Sequence, residues 1–543
     1  MTQPAELSPT LAAVLETHAP APAVPASATA EPATQPDAGV PPKSSHDAPP
    51  KALVDFMLQG WTPPTAGVPD PVEHHEAFAR RRRALSDRFA GDTLIIPAGH
   101  LKVRSNDTHY AFRPSSDFYY LTGNREPDCV LVLEPRTEGG HKSILFVEPN
   151  PGRSDPAFFT DRVKGELWVG ARLGVPESQA RFAVDECRPI ADLAAYVAAL
   201  ADRAARPSRA ARGFSAAIDG VLAEHERDAE LATTLAEMRL IKDEVEVGEL
   251  RAVIDATKRG FEDVIQRLPK ARSEREVEGV FNLRARVEGN DVGYGTIAAS
   301  GHHACTLHYT RNDGALDPDD LLLLDAGVEG NSFYTADITR TLPISGRFTK
   351  AQRTIYRLVH KAQKAAFAMV KPGNDFMEPN RAAMRVLAEG LEQLGILKTT
   401  AEYALKEEHQ FYKRYSLHNV SHMLGLDVHD CAKARQEAYK LGKLAPGMVL
   451  TVEPGLYFQK DDSTVPEEYR GIGVRIEDDS PGHRGRLREP LGPHPEPDRR
   501  GRSLDRPPLE EGQEALTSRS PAPHATSSAR RARTSASTSA AST

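Results

Sequence analysis

The chain has 543 residues, 40% hydrophobic and 27% charged, which is more than one ordinary core needs, so two folded domains plus tails are expected. Its net charge of -8 excludes the basic footprint of a nucleic-acid binder. No run approaches the ~20 apolar residues that span a bilayer, and the N-terminus lacks the basic-then-apolar layout of a secretory signal.

Residues 1–65 are rich in Ala, Pro, Thr and Ser, a composition that cannot bury enough apolar surface to offset chain entropy, so a disordered tail is expected. Folded character begins at VEHHEAFARRRRALSDRF, a charged helix, and TLIIPAG, a short buried strand. DCVLVLEP and KSILFVEP read as further strands, IADLAAYVAALADRAA and HERDAELATTLAEMRLI as helices. Strands alternating with helices make residues 66–235 a small α/β domain.

Residues 236–479 open with two long helical patterns, KDEVEVGELRAVIDATKRGFEDVIQRL and SEREVEGVFNLRARVEG. Strand patterns follow at LLLLDAGV, FYTADITRTLPI, MVLTVEPGLYF and GIGVRIEDD, with helices AQRTIYRLVHKAQKAAFAMV and PNRAAMRVLAEGLEQLG between them. Helices on one side of a mostly antiparallel, curved sheet predict an α+β unit. From Ser480 the chain turns Arg-, Pro-, Ser- and Ala-rich without an apolar period, and 480–543 reads as disordered. The four cysteines, Cys129, Cys187, Cys305 and Cys431, are scattered without CxxC spacing. They argue against a disulfide framework and for a reducing compartment, so the expected location is cytoplasmic.

The chemistry lies in a few short segments. DAGVEGNSFYTAD carries Asp325 and Asp337, HNVSHMLGLDVHD carries His418, His422 and His429, and TVEPGLY carries Glu453 and Tyr457. GVRIEDD carries Arg475 and Glu477, and GHHACTLHYT carries His308. Asp325 ends a run of four leucines and Glu453 stands in an apolar run, where a carboxylate is costly unless paired or metal-bound. Several carboxylates converging without cations would repel one another and stay partly protonated. A pair of divalent ions removes that conflict, and an oxygen-rich set with one imidazole favours manganese, cobalt or a similar ion over a thiolate-type zinc site. Taken singly, each segment has a plainer reading: a strand-end Asp is usually a cap or turn residue, and a lone His usually packs or faces water. HxxxH could mark a zinc helix, but HExxH is absent and Asn-Val-Ser favours strand or loop. Only the segments together, in this order, are specific.

In that order they resemble the pita-bread metallopeptidases, a family of Xaa-Pro aminopeptidases, prolidases, methionine aminopeptidases and creatinases. The resemblance spans roughly residues 70–479 and is nearest to the bacterial Xaa-Pro aminopeptidases, through RPSSDFYYLTG, LHYT, DITRT, SHMLGLDVHD, VEPGLY and GVRIEDD. It implies a creatinase-like N-terminal domain, a pita-bread catalytic domain with two metal ions, commonly manganese, and a homo-oligomer. It also implies Asp325, Asp337, His422, Glu453 and Glu477 as metal ligands, with Asp337 and Glu477 bridging. His308 and His429 would contact substrate and stabilise the tetrahedral intermediate, and His418 would line the substrate pocket. Arg475 and Tyr457 would orient the ligands. Glu453 could also shuttle the proton of the attacking water to the leaving nitrogen. The implied activity is release of the N-terminal residue from peptides with proline second. A prolidase restricted to Xaa-Pro dipeptides and a non-catalytic pita-bread binding protein are the alternatives.

Three departures stand out. The family's His-Gly-Leu-Ser-His is His-Asn-Val-Ser-His here, so Asn419 raises a question of local backbone geometry. One extra residue separates Asp325 from Asp337, read as a longer turn through Gly330 and Asn331. Finally, SPGHRGRLREPLGPHPEPDRRGRSLD replaces the family's closing strand and turn after Asp479. With permitted codons it reads one nucleotide later as LLVTADGSGNLSARTPNPTAEDVVWT, which has the expected family ending, so 480–543 is read as a frame-shifted tail.

Overall fold

The structure, a computed structural model, describes residues 49–62, 67–201 and 208–481. Most of the two expected tails therefore lies outside the described residues. Two described pieces fall inside those stretches: the helix Lys51–Met57, with no buried residue, and the end of the strand Asp478–Pro481.

A five-stranded sheet occupies the N-terminal part, in the order Glu186–Pro189, His141–Val147, Val130–Pro135, Thr93–Pro97, Ser208–Ala210. The central pairings are antiparallel and both edge strands join in parallel. The three central strands carry continuous apolar runs because both faces are covered. Ile95, Val132, Ile144 and Phe146 pack against Leu193, Val197 and Leu200 on one face. Leu94, Ile96, Leu131 and Leu145 pack on the other against Leu85, Phe118, Leu231 and Leu235. That second cluster also contains Phe333, Tyr334, Leu424 and Leu426, so it continues into the half of the chain that carries the acidic motifs.

In that half, helices Glu244–Arg267 and Glu274–Glu288 begin at side-chain caps: Asp243 accepts from the Glu246 N–H and Ser273 from the Glu276 N–H. An antiparallel sheet follows, Ile297–Ser300, Leu321–Ala326 and Ile338–Pro343. Short ladders pair Val449–Val452 with Asp478–Pro481 and Gly455–Tyr457 with Gly473–Arg475. Helices Lys350–Phe367 and Glu378–Gln393 bury Ile355, Val359, Leu387 and Leu391 against Leu450, Val452, Leu456 and Ile476. The arrangement is α+β, as expected.

One expectation needs correcting. MVLTVEPGLYF and GIGVRIEDD each read as a single strand, but each breaks, after Val452 and after Arg475 respectively, and FYTADITRTLPI is a strand only from Ile338. Pro454 has no N–H to give a ladder, and the breaks fall at Glu453 and Glu477. The turn after Glu329 is long, as expected: the Gly330 N–H donates to Tyr334 O at 2.9 Å and Phe333 takes a φ of 61°. That uncommon conformation for a bulky residue persists because Phe333 is buried edge-on against Tyr119, ring centroids 5.0 Å apart.

Candidate metal centre

The acidic motifs come together because their segments are laid side by side. Asp325 follows the four leucines in the strand Leu321–Ala326 and pairs with Thr339, two residues beyond Asp337. Thr339 in turn bridges Glu477, whose N–H donates to Thr339 O at 3.1 Å. On the other flank, the Thr451 N–H donates to His422 O at 3.0 Å and the Glu453 N–H to Val420 O at 2.8 Å. Residues 420–424 therefore run beside 449–453, and 478–481 runs along the far side of 449–452.

Asp337, His422 and Glu477 offer ligand atoms that all lie within 4.8 Å of one another. His422 Nε2 stands 3.3 Å from Asp337 Oδ2 and 3.5 Å from Glu453 Oε1. Asp325 joins through Tyr294, whose hydroxyl sits 2.7 Å from Asp325 Oδ1 and 2.5 Å from Asp337 Oδ1. One hydroxyl proton cannot serve both carboxylates, so this pair is short of donors. Arg475 contacts Asp325 with Nη2, donates from Nε to Thr339 Oγ1 at 3.2 Å and from Nη1 to Tyr457 Oη at 3.0 Å. The Tyr457 hydroxyl then donates to His418 Nε2 at 2.7 Å, and His418 Nδ1 lies 3.4 Å from Glu453 Oε2.

The electrostatics show what the pocket lacks. Burial, reinforced by neighbouring carboxylates, raises Asp325, lifts Glu453 to about 7 and drives Glu477 well above the carboxylate range. Burial disfavours charge on His422, yet Asp337 and Glu453 outweigh it and lift the imidazole to about 9. Burial beside Arg475 lowers His418 to about 4. Glu477 Oε2 accepts from Thr339 Oγ1 at 2.6 Å, while its Oε1 is buried without a partner. Asp479 accepts the Asp337 N–H on Oδ2 at 3.1 Å, and its Oδ1 likewise has no partner. Orphaned buried oxygens beside carboxylates whose charge burial disfavours fit a hard divalent cation, which would supply the missing charge and take up the free lone pairs.

His429 stands edge-on to His422, ring centroids 4.4 Å apart. His308 is exposed and near enough to His418 and His429 to disfavour charge on both. Asn419 is exposed and is not among the residues with positive φ, so replacing the family's Gly demands no unusual backbone. Three groups escaped the motif reading: Tyr294, Thr339 and Asp479. Thr339 could have been found from its i+2 spacing to Asp337, which puts both on one strand face. Tyr294, in EGNDVGYGTIA, carries no such signal.

The loop from His422 to His429 is held from the N-terminal part. Arg113 Nη2 donates to Leu426 O at 2.5 Å and Ser116 Oγ to Asp427 Oδ1 at 2.7 Å, while Arg113 Nε also reaches Glu329 Oε2 at 2.8 Å. Just past His429, Asp430 is buried between Arg239 Nε at 3.1 Å and Lys242 Nζ at 3.2 Å.

Comparison with known proteins gives a consistent picture. Residues 248–480 match metallopeptidase family M24, and residues 78–207 match the aminopeptidase P N-terminal domain. The chain is 51% identical over 432 residues to Xaa-Pro aminopeptidase 1 of Streptomyces coelicolor, covering 79% of this chain and 86% of that protein. It is 33% identical to the Xaa-Pro aminopeptidase of Escherichia coli, covering 74% and 91%. Among solved structures, zinc-substituted E. coli aminopeptidase P in complex with product superposes with a TM-score of 0.66 at 33% identity, over 75% of this chain and 92% of that one. Proline aminopeptidase P II from Yersinia pestis gives 0.65 at 33% identity, over 75% and 93%.

Proposed function

We propose that this chain, which belongs to the Xaa-Pro aminopeptidases of metallopeptidase family M24, releases the N-terminal residue from peptides with proline in the second position. It is a metallo-exopeptidase with the pita-bread fold of aminopeptidase P. The observation that carries the reading is the donor-poor acidic pocket, with its orphaned Glu477 oxygen and its imidazole between two carboxylates. We read residues 66–235 as the creatinase-like domain and 236–479 as the catalytic domain.

In this reading Asp325, Asp337, His422, Glu453 and Glu477 would hold two divalent ions, manganese in a cytoplasmic setting. The ions, when bound, supply Lewis-acid activation of water and carbonyl near neutral pH. Glu453 takes the proton of the attacking water and returns it to the departing proline nitrogen, a role that needs a carboxylate close to both. His308 and His429 donate to the developing oxyanion, and His418 lines the substrate pocket beside Tyr457. Arg475 holds Asp325 and, through Tyr457, the His418 ring. The acidic cluster attracts the free amino group of the substrate, which favours exopeptidase action at an N-terminus.

The test is metal analysis of the purified chain, then hydrolysis of a tripeptide with proline second and of an Xaa-Pro dipeptide. Cleavage of the dipeptide alone would make the protein a prolidase, and bound metal with no cleavage of either would make it a binding protein. We further read the stretch from Ser480 as frame-shifted. The family match ends at residue 480, and the described strand pairing runs to Val449 with Pro481. Nucleotide sequencing across the junction decides it, and an intact frame with unrelated codons ends the idea.

A further inference from the structure

Outside the metal cluster, Glu274 is a buried carboxylate used at both of its oxygens. It is completely buried and opens the helix Glu274–Glu288, where the helix field favours an anion. Three donors converge on it. Oε1 accepts from the Ser300 N–H at 2.7 Å and from His303 Nδ1 at 2.8 Å. Oε2 accepts from the Gly314 N–H at 2.6 Å and lies 3.2 Å from the Tyr309 hydroxyl, whose proton goes to Asp313 Oδ1 at 2.6 Å.

These donors are distributed over one stretch, 300–314, whose only regular structure past Ser300 is the short turn Gly301–Cys305. Backbone groups buried in such a stretch need an acceptor from elsewhere, and Glu274 provides it at both ends. A β-carbon at Gly314 would lie 2.7 Å from Glu274 Oε2 and 2.8 Å from His303 Cε1, so the carboxylate packs directly on the backbone there. His303 also stacks on Tyr309, ring centroids 4.4 Å apart. His308 lies inside this stretch, one residue before Tyr309, and is itself exposed.

We propose that Glu274 is a positioning residue for the hydrolysis: by gathering Ser300, His303 and Gly314 it fixes the loop that presents His308 to the substrate. The inference rests on the reading of His308 given above. None of the three groups that Glu274 gathers belongs to the proposed metal ligands.

A double-mutant cycle on the full chain, loaded with manganese and assayed on a tripeptide with proline second, tests it. Glu274→Gln keeps the shape but turns an NH2 group toward donors. It is expected to lower kcat/KM about tenfold, the scale of a charged hydrogen-bond pattern lost. In a His308→Ala background the same change is expected to cost less than about twofold, because coupled residues are not additive. Full additivity, with both single losses multiplying, overturns the proposal. Manganese affinity by calorimetry should stay within about twofold of the parent, since the ligands lie on other segments, and a tenfold weakening would also overturn it. If Glu274→Gln does not fold, His303→Phe removes one donor of the three and is judged by the same non-additivity with His308→Ala. A His308→Ala variant with unchanged kcat/KM would sink the reading of His308 itself, a result separable from additivity.

Discussion

Two buried acidic clusters lie close along the chain and behave in opposite ways. Asp430 meets Arg239 and Lys242 and accepts the Cys431 N–H at 2.8 Å. Although burial opposes it, these partners hold its pKa below the ordinary value. In the other cluster Asp325, Asp337, Glu453 and Glu477 share Arg475 and the His422 imidazole, and Asp325, Glu453 and Glu477 are pushed upward. The side chains are alike in kind, and what differs is the supply of positive charge and donors. A carboxylate with its cations built in is a structural strut, whereas a surplus of carboxylates with orphaned oxygens is a binding site for a cation brought from solution.

The sharpest way to break that contrast is to treat both clusters as structural. Asp337→Asn should then cost stability and little else. We expect instead that kcat/KM falls by on the order of 10²–10³, as when a main electrostatic group of a site is removed, and that added manganese no longer raises the melting temperature. In the parent, manganese at a hundred times its Kd should add about 2.7 kcal/mol to unfolding stability and release protons on binding, since the raised carboxylates must ionise to ligate. Calorimetry in two buffers of different ionisation enthalpy reads that release.

The next largest effect concerns the strut. Removing one partner of a buried ion pair costs about 3–5 kcal/mol, so Lys242→Met should lose stability on that scale in urea denaturation. The melting shift caused by manganese should persist in the folded fraction, because none of the proposed ligands contacts Lys242. The sign with pH follows from the direction of the Asp430 shift. A group whose native pKa is depressed adds stability that is complete above its unfolded value, near 3.9, and is lost as pH falls through the native value. Between pH 5 and pH 3 the parent should lose more stability than Asp430→Asn, and equal losses would mean the pair is electrostatically idle. Thr339→Val comes below these. It removes the donor to Glu477 and the acceptor of Arg475 Nε, and about a tenfold loss of kcat/KM is expected from these two hydrogen bonds.

How much of this could be read from the chain alone divides along the same line. Helices and strands followed their apolar periods, and the motif order picked out residues that the fold gathers, notably Asp337, His422 and Glu477. What could not be read depends on register. Thr339 reaches Glu477 because strand Ile338–Pro343 bridges the segment after Arg475, and Tyr294 arrives from a short segment with no pattern of its own. The breaks at Glu453 and Glu477 were hidden because their flanks are as apolar as continuous strands. The role of RPSSDFYYLTG was equally invisible: Arg113 and Ser116 act on Glu329 and Asp427, more than two hundred positions away.

The smallest expected effect addresses the departure at Asn419. A glycine is needed where φ is positive, and Asn419 has no such conformation. Its side chain is exposed, and the neighbouring imidazole is held by other groups: His418 Nδ1 meets the Asn419 carbonyl at 2.9 Å and Nε2 the Tyr457 hydroxyl. Any residue supplies that carbonyl. Restoring the family's residue with Asn419→Gly should therefore leave kcat/KM and manganese affinity unchanged. It should lower stability by about 0.4–1 kcal/mol, because glycine widens the unfolded ensemble. A gain in activity would mean that the asparagine distorts the pocket, and the ion-binding cluster would then be more sensitive to its backbone than its hydrogen bonds imply.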